Sequence, residues 1–235
     1  MSDTHSILNI AAGLILSGDA NLFEIIERSL EVSLSATFLG CVIGLPLGAA
    51  LVVLKFPGRG FITSLLNTFM GLPPVVVGLL IYLLLSRQGP LGVFGLLYTP
   101  QAMILAQTCL IAPLIAALAR QVMADLYAQY FELFYSLRLN TLEQIRTLIF
   151  EGRYSLSTCA LAGFGRAIAE VGAVMIVGGN IEHVTRVMTT TIALETSKGN
   201  LALALALGMI LISLAFIVNA LVAIISATAR KRAYA

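Results

Sequence analysis

The chain has 235 residues, of which 59% are hydrophobic and 11% charged, and its net charge is +2. Soluble domains carry about a quarter charged residues, so this composition excludes an ordinary soluble domain and requires lipid around much of the chain. The small, dispersed net charge excludes the basic surface that nucleic-acid partners need. We therefore predict an all-α integral membrane protein with no nucleic-acid partner.

Five apolar runs reach the roughly 20 residues that a membrane-spanning helix needs. The run Ile7–Leu16 is too short, and we interpret it as an interfacial or re-entrant helix, with a sixth span as the alternative. Residues 1–21 then form an N-terminal segment, residues 22–226 the transmembrane domain and residues 227–235 a tail. The five predicted spans are Leu30–Leu54, Phe61–Ser86, Pro100–Ala119, Leu156–Val177 and Leu201–Ile225.

The second span contains a break at Gly71-Leu-Pro-Pro-Val-Val-Val-Gly78. Pro73 and Pro74 lack the amide donor that a continuous helix uses. Membrane helices accept such a break where protein or a water-filled cavity surrounds it. The sequence leaves two interpretations open, a packing kink and a bend that lines a transport path.

Lys and Arg favour the cytoplasmic side of a membrane. Nine of the 14 basic residues fall on one side if the five spans alternate, and they follow the first, third and fifth spans. This distribution predicts an N-terminus outside, a C-terminus in the cytoplasm and a cytoplasmic polar region at residues 120–153.

That polar region carries two helical patterns. Tyr130, Leu133, Phe134 and Leu137 recur at helical spacing, and a second apolar face follows at Leu142, Ile145 and Leu148–Ile149. Asn140 followed three residues later by Glu143 resembles a capping box and predicts a helix start. The region is either a surface for a protein partner or a loop that packs only on its own subunit.

Two further groups carry polar atoms in apolar surroundings. Arg166 and Glu170 are four residues apart, so on one helix they share a face and can pair. The pair is either a structural tie or part of an anion path. Likewise, Thr189, Thr190 and Thr191 either start a helix or offer weak hydrogen bonds to an oxyanion in transit.

In its polar region and in three apolar stretches, the chain resembles the permease subunits of binding-protein-dependent ABC importers. Their cytoplasmic motif reads Glu-Ala-Ala, three residues, then Gly, and it falls here on Glu132-Leu-Phe-Tyr-Ser-Leu-Arg138. Only Glu132 is retained, and Arg138 stands where the family has glycine. The tungstate-type branch is the most similar, with molybdate and sulfate permeases as near relatives, in the stretches Leu66–Leu80, Gly163–Asn180 and Thr189–Gly199.

The resemblance implies the type I importer permease fold in the cell (inner) membrane, working as a homodimer with two ATPase subunits and an extracytoplasmic oxyanion-binding protein. It implies a non-catalytic chain that binds no cofactor, with ATP-Mg on the ATPase; the sequence has no Gly-x-x-x-x-Gly-Lys-Ser/Thr phosphate loop. The expected path residues are Pro73, Pro74, Arg166, Glu170, Thr189, Thr190 and Thr191. The expected ATPase-coupling residues are Glu132, Leu137, Arg138, Asn140, Thr141, Leu142 and Ile145.

Two other function classes fit the residues less well. An ion-driven secondary transporter often shows internal repeats, and we find no convincing repeat in this chain. A membrane enzyme needs a nucleophile–base pair or a metal-ligand cluster, and none is evident in the spans. A non-catalytic importer subunit is therefore the favoured interpretation.

Overall fold

All regular elements in the described part of the chain are helical, as the sequence predicts. The computed structural model describes residue 13 and residues 20–233, without the side chains of residues 222 and 225–233. A short 3-10 turn, Gly92–Phe94, lies between the third and fourth helices. The α-helices are α1 (Ala20–Val53), α2 (Arg59–Met70), α3 (Pro74–Leu85), α4 (Pro100–Ser136), α5 (Thr141–Glu151), α6 (Arg153–Ile168), α7 (Gly172–Gly178), α8 (Met188–Ser197) and α9 (Leu201–Ala233).

Three of these helices are long and apolar enough to cross a membrane alone, namely α1, α4 and the part of α9 up to Leu221. Two more spans result if α2 with α3, and α6 with α7, each count as one interrupted span. This agrees with the five predicted spans. The proposed short helix Ile7–Leu16 lies outside the described residues apart from Gly13.

The helices extend further than the apolar runs that define the spans. Helix α1 begins at Ala20 rather than Leu30, and α4 continues past Ala119 to Ser136. Helix α9 likewise continues into the predicted tail. Hydropathy locates the part of a helix that lipid can surround, whereas helix length depends on backbone hydrogen bonds, which continue through polar residues of good helix propensity.

The chain folds as two compact units, each built from separate stretches. The first unit contains the described residues up to 35, residues 73–107 and residues 168–218. The second unit contains residues 36–72, 108–167 and 219–233. The polar region at residues 120–153, which we name the coupling region after its expected role, thus belongs to the second unit. The loop between α7 and α8 belongs to the first unit.

In the second unit, a row of glycines lets α1 lie directly against the backbone of α4. Gly40, Gly44 and Gly48 recur every four residues, so they share one face of α1. A Cβ atom on Gly44 would lie 2.9 Å from the carbonyl oxygen of Ala112, and one on Gly48 would lie 2.7 Å from that of Ala116. This is the small-residue packing that membrane helices use where no hydrophobic effect drives them together.

In the first unit, α3 packs on α7 through another close approach. A Cβ atom on Gly78 would lie 2.7 Å from the Cα atom of Ala173. A Cβ atom on Gly172 would lie 2.8 Å from a methyl carbon of Val75. The contact between Gly172 and Val75 joins the first turns of the two helices, so the start of α3 at Pro74 lies close to the start of α7.

Candidate functional site

The coupling region, residues 120–153, reverses direction through a tight turn between α4 and α5. Arg138 N–H donates to the carbonyl of Tyr135 at 3.2 Å, and Leu139 N–H donates to the carbonyl of Phe134 at 3.1 Å. These two bonds form a Schellman motif, which satisfies the last carbonyls of α4. The left-handed position of that motif is occupied by Arg138, whose φ is 49°.

Helix α5 begins at the residue that the sequence predicts. Glu143 N–H donates to Asn140 Oδ1 at 3.0 Å, and Asn140 N–H donates to Glu143 Oε2 at 2.8 Å. The reciprocal bonds confirm the capping box. Thr141 follows as the exposed first residue of the helix. The cap fixes where α5 begins and therefore which of its side chains face the protein.

One side of the coupling region packs into the buried core of the second unit. Phe134 and Leu148 are buried in a core that also contains Met123 of α4 and Leu156 of α6. Ile145 is partly buried against this core. Of the two apolar residues expected to contact an ATPase from α5, Ile145 therefore has a packing role within the chain.

Several apolar side chains of the coupling region are exposed instead. Leu142 is 56% exposed and Leu137 is 60% exposed. Glu132 and Arg138 are exposed beside them. Sequence reasoning missed Tyr135, which is 81% exposed, and Phe150, although Leu142, Arg146 and Phe150 recur every four residues on α5. A cavity of about 510 Å³ adjoins the turn and is lined by Phe134, Tyr135, Ser136, Arg138, Leu139 and Gln144.

The interrupted spans begin their second halves in different ways. Pro74 is the first residue of α3 and follows extended Pro73, so the missing proline amides leave no helical hydrogen bond unmade. Helix α7 is preceded by buried Glu170, whose Oε1 accepts from Ala173 N–H at 3.2 Å. The Glu170 carboxylate therefore caps a helix start.

The expectation that Arg166 and Glu170 share a helix face is wrong. Helix α6 ends at Ile168, so the chain leaves helical geometry between the two residues. Arg166 is exposed in the last turn of α6, where a cation interacts favourably with the helix dipole. The spacing of the two residues could not reveal this, because spacing alone does not locate the end of a helix.

The three threonines lie in the first turn of α8 and are buried. Thr189 Oγ1 donates to the carbonyl of Glu170 at 2.8 Å, and Thr191 Oγ1 donates to the carbonyl of Val187 at 2.7 Å. Thr190 Oγ1 lies 2.8 Å from Asn180 Oδ1. All three hydroxyls have acceptors in the chain, which fits the helix-start interpretation.

A polar cavity of about 480 Å³ lies in the first unit, next to the loop between α7 and α8. Its charged groups are paired: Lys198 Nζ is 2.8 Å from Glu195 Oε1, and Arg186 Nη1 is 2.8 Å from Glu182 Oε1. Lys198 and Asn200 hold the pKa of the Glu195 carboxyl below its usual value. Because two cations face two carboxylates, the cavity has no excess positive charge for an anion.

Comparison with known proteins decides the family. No protein-family model matches the chain. The chain is 41% identical to a probable anion ABC transporter permease protein of Haloferax volcanii over 212 residues, covering 87% of this chain and 91% of the relative. It is 39% identical to the tungstate uptake system permease protein TupB of Campylobacter jejuni, covering 88% and 86%. The TupB of Peptoclostridium acidaminophilum is also 39% identical, covering 90% and 93%.

The chain belongs to the ABC transporter permease family. The multi-pass membrane architecture is the one expected of such a permease. Arg138, which the predicted motif register puts where the family has glycine, has a φ of 49°, a left-handed backbone conformation that glycine adopts at the lowest cost.

Replacing Arg138 with glycine is expected to stabilise the permease. A residue with a Cβ atom costs roughly 1 kcal/mol in the left-handed region, and glycine removes that cost. We expect Arg138→Gly to raise the midpoint of thermal inactivation in detergent by a few degrees. Arg138→Ala is the control, because alanine keeps the Cβ atom; equal stabilisation by both variants would contradict the backbone explanation.

The ion pair between His183 and Glu24 is expected to be sensitive to pH. His183 Nδ1 lies 2.8 Å from Glu24 Oε2, and this hydrogen bond together with the Glu24 charge raises the pKa of His183. Because the folded protein holds the His183 proton more tightly than the unfolded chain does, protonated His183 stabilises the fold. This stabilisation is complete at pH values below the pKa of the unfolded state and is lost as the pH rises through the pKa of the folded state. Thermal inactivation should therefore become easier as the pH rises above about 6.5, the usual pKa of histidine, and His183→Gln should flatten that slope. An unchanged slope in the variant would assign the pH dependence to other groups.

Proposed function

We propose that this chain is the permease subunit of an ATP-driven tungstate importer. The observation that carries the proposal is its 39% identity, over nearly nine-tenths of the chain, to two permeases of tungstate uptake systems. Two copies form the translocation path, and a separate extracytoplasmic protein delivers the anion. The chain itself is non-catalytic and binds no cofactor; ATP-Mg binds to two partner ATPase subunits.

The coupling region supplies the contact with the ATPase. Its exposed face combines Leu137, Leu142 and Tyr135 with the charged side chains of Glu132 and Arg138. Such a mixture of apolar anchors and peripheral charges is typical of protein interfaces. The inner side is anchored to the core by Leu148, so force applied to α5 is transmitted to α4 and α6.

The proposed topology follows the distribution of basic residues, with the N-terminus outside and the C-terminus in the cytoplasm. It puts residues 120–153 on the cytoplasmic side, where an ATPase can reach them. For the path we retain Pro73, Pro74, Arg166, Glu170 and the threonines Thr189, Thr190 and Thr191. Glu170 and the threonine hydroxyls act there by holding the helix starts, because their polar atoms are already engaged within the chain.

The test is tungstate uptake by the complete transporter in proteoliposomes. We expect uptake to require ATP, the ATPase and the binding protein, and to persist in the presence of excess sulfate. Molybdate and sulfate are the competitors, because permeases for these anions are the more distant relatives. Transport by the isolated chain along an ion gradient would refute the proposal, and preferred uptake of sulfate would correct the substrate.

A further inference from the structure

The loop between α3 and α4 presents an apolar tip to its surroundings. The loop comprises residues 86–99, and its tip is the 3-10 turn Gly92–Phe94. Val93 is 95% exposed, the largest fraction among the large apolar side chains of the described residues, and Phe94 is 69% exposed. Arg87 is the only charged residue of the loop. Exposed apolar surface is unfavourable in water, so an apolar environment would stabilise this tip.

The loop folds back along the last turn of α3. Leu91 N–H donates to the carbonyl of Leu84 at 3.0 Å. A Cβ atom on Gly89 would lie 2.6 Å from the same carbonyl oxygen, so glycine is needed for this approach. Leu83 and Leu84 are exposed apolar residues at the end of the interrupted span formed by α2 and α3. Leu91, at the base of the tip, therefore lies level with the end of that span rather than beyond it.

The tip is held at this level from both sides. Phe94 N–H donates to the carbonyl of Leu91 at 3.2 Å. Because a 3-10 turn rises about 2 Å per residue, Phe94 lies within about 6 Å of Leu91 along the turn. After the tip, Tyr98 N–H donates to the carbonyl of Val177 at 2.9 Å, at the end of α7. The headgroup region on each side of the hydrocarbon core is roughly 5–7 Å thick, so Val93 and Phe94 lie at or next to the boundary between headgroups and acyl chains.

We propose that Val93 and Phe94 insert into the membrane interface, where lipid acyl chains cover them. The side chains of the tip offer no charge and no hydrogen bond by which a protein partner could recognise them, whereas acyl chains need neither. Arg87 is exposed at the start of the loop, where a long basic side chain can reach the lipid headgroups. This lipid contact is separate from the coupling region and does not depend on which anion is transported.

The test is tryptophan fluorescence of the full-length permease in phosphatidylcholine bilayers. The chain contains no tryptophan, so Phe94→Trp introduces a single reporter at an exposed position. We expect its emission to be blue-shifted and mostly lost when the lipids are brominated near the headgroup end of the acyl chain. Bromine at the far end of the chain should quench less, because interfacial side chains reach only about 5–10 Å into the bilayer.

Two further reporters complete the test. Val184→Trp is the matched control, because Val184 is 42% exposed in the α7–α8 loop beside the charged residues Glu182 and His183; aqueous iodide rather than brominated lipid should quench it. Val93→Trp should behave like Phe94→Trp, and it tests the contact even if the Phe94 variant fails to fold. Quenching of the tip reporters by iodide alone would leave the tip in water. Blue-shifted emission that resists brominated lipids would put a protein surface on it, and either result would overturn the lipid contact.

Discussion

Leu142→Asp is expected to reduce ATP-driven uptake by at least about tenfold while leaving the permease folded. Leu142 is 56% exposed in the first turn of α5 and lies outside the buried core that contains Leu148, so aspartate is accommodated in the free chain. In the assembled transporter the carboxylate would replace an apolar anchor at the ATPase contact. Loss of a central anchor costs about 2 kcal/mol or more, which corresponds to a loss of about thirtyfold in affinity.

Copurification of the ATPase and uptake in proteoliposomes measure this effect. Leu142→Met is the matched control, because it keeps an apolar side chain of similar volume. Ile145→Asp should behave differently and lower the yield of folded permease, since Ile145 packs against the buried core. Normal uptake and normal ATPase recovery with Leu142→Asp would remove Leu142 from the coupling surface.

Gly44→Val is expected to prevent stable folding of the second unit. A Cβ atom at Gly44 would lie 2.9 Å from the carbonyl oxygen of Ala112 and 3.0 Å from the nitrogen of Ala116. Both are backbone atoms of α4, so relief requires α1 and α4 to separate. Overpacking of this kind costs about 3 kcal/mol or more, and separation also removes the contacts of the neighbouring glycines.

The yield of monodisperse protein in detergent and its inactivation temperature measure the loss. Gly165→Val is the matched control, because Gly165 lies inside α6 of the same unit and has open space where a Cβ atom would be placed. Equal loss of folded protein in both variants would assign the effect to helix propensity rather than to helix contact.

Several features could be predicted from the chain alone because their causes are local. The apolar runs predicted five spans, which is the largest number that the helices of the described residues allow, since lipid selects for segment length and hydropathy. Asn140 and Glu143 predicted the start of α5, since a capping box requires only residues three apart. The family resemblance followed from sequence stretches and is confirmed by the relatives.

Other features depended on contacts between distant residues. Periodicity put Leu142 and Ile145 on one apolar face, and only the position of the core showed that Ile145 packs inward while Leu142 is exposed. The spacing of Arg166 and Glu170 suggested a shared helix, and only the end of α6 at Ile168 excluded it.

The amino-acid sequence by itself determined that this protein spans a membrane, where its polar region lies and where α5 begins, because hydropathy and capping act over a few neighbouring residues. The tertiary structure decided which residues of α5 pack on the core and which stay exposed, and why Gly44 must lack a side chain. These properties depend on what lies opposite each residue, and that neighbour is usually far away along the chain.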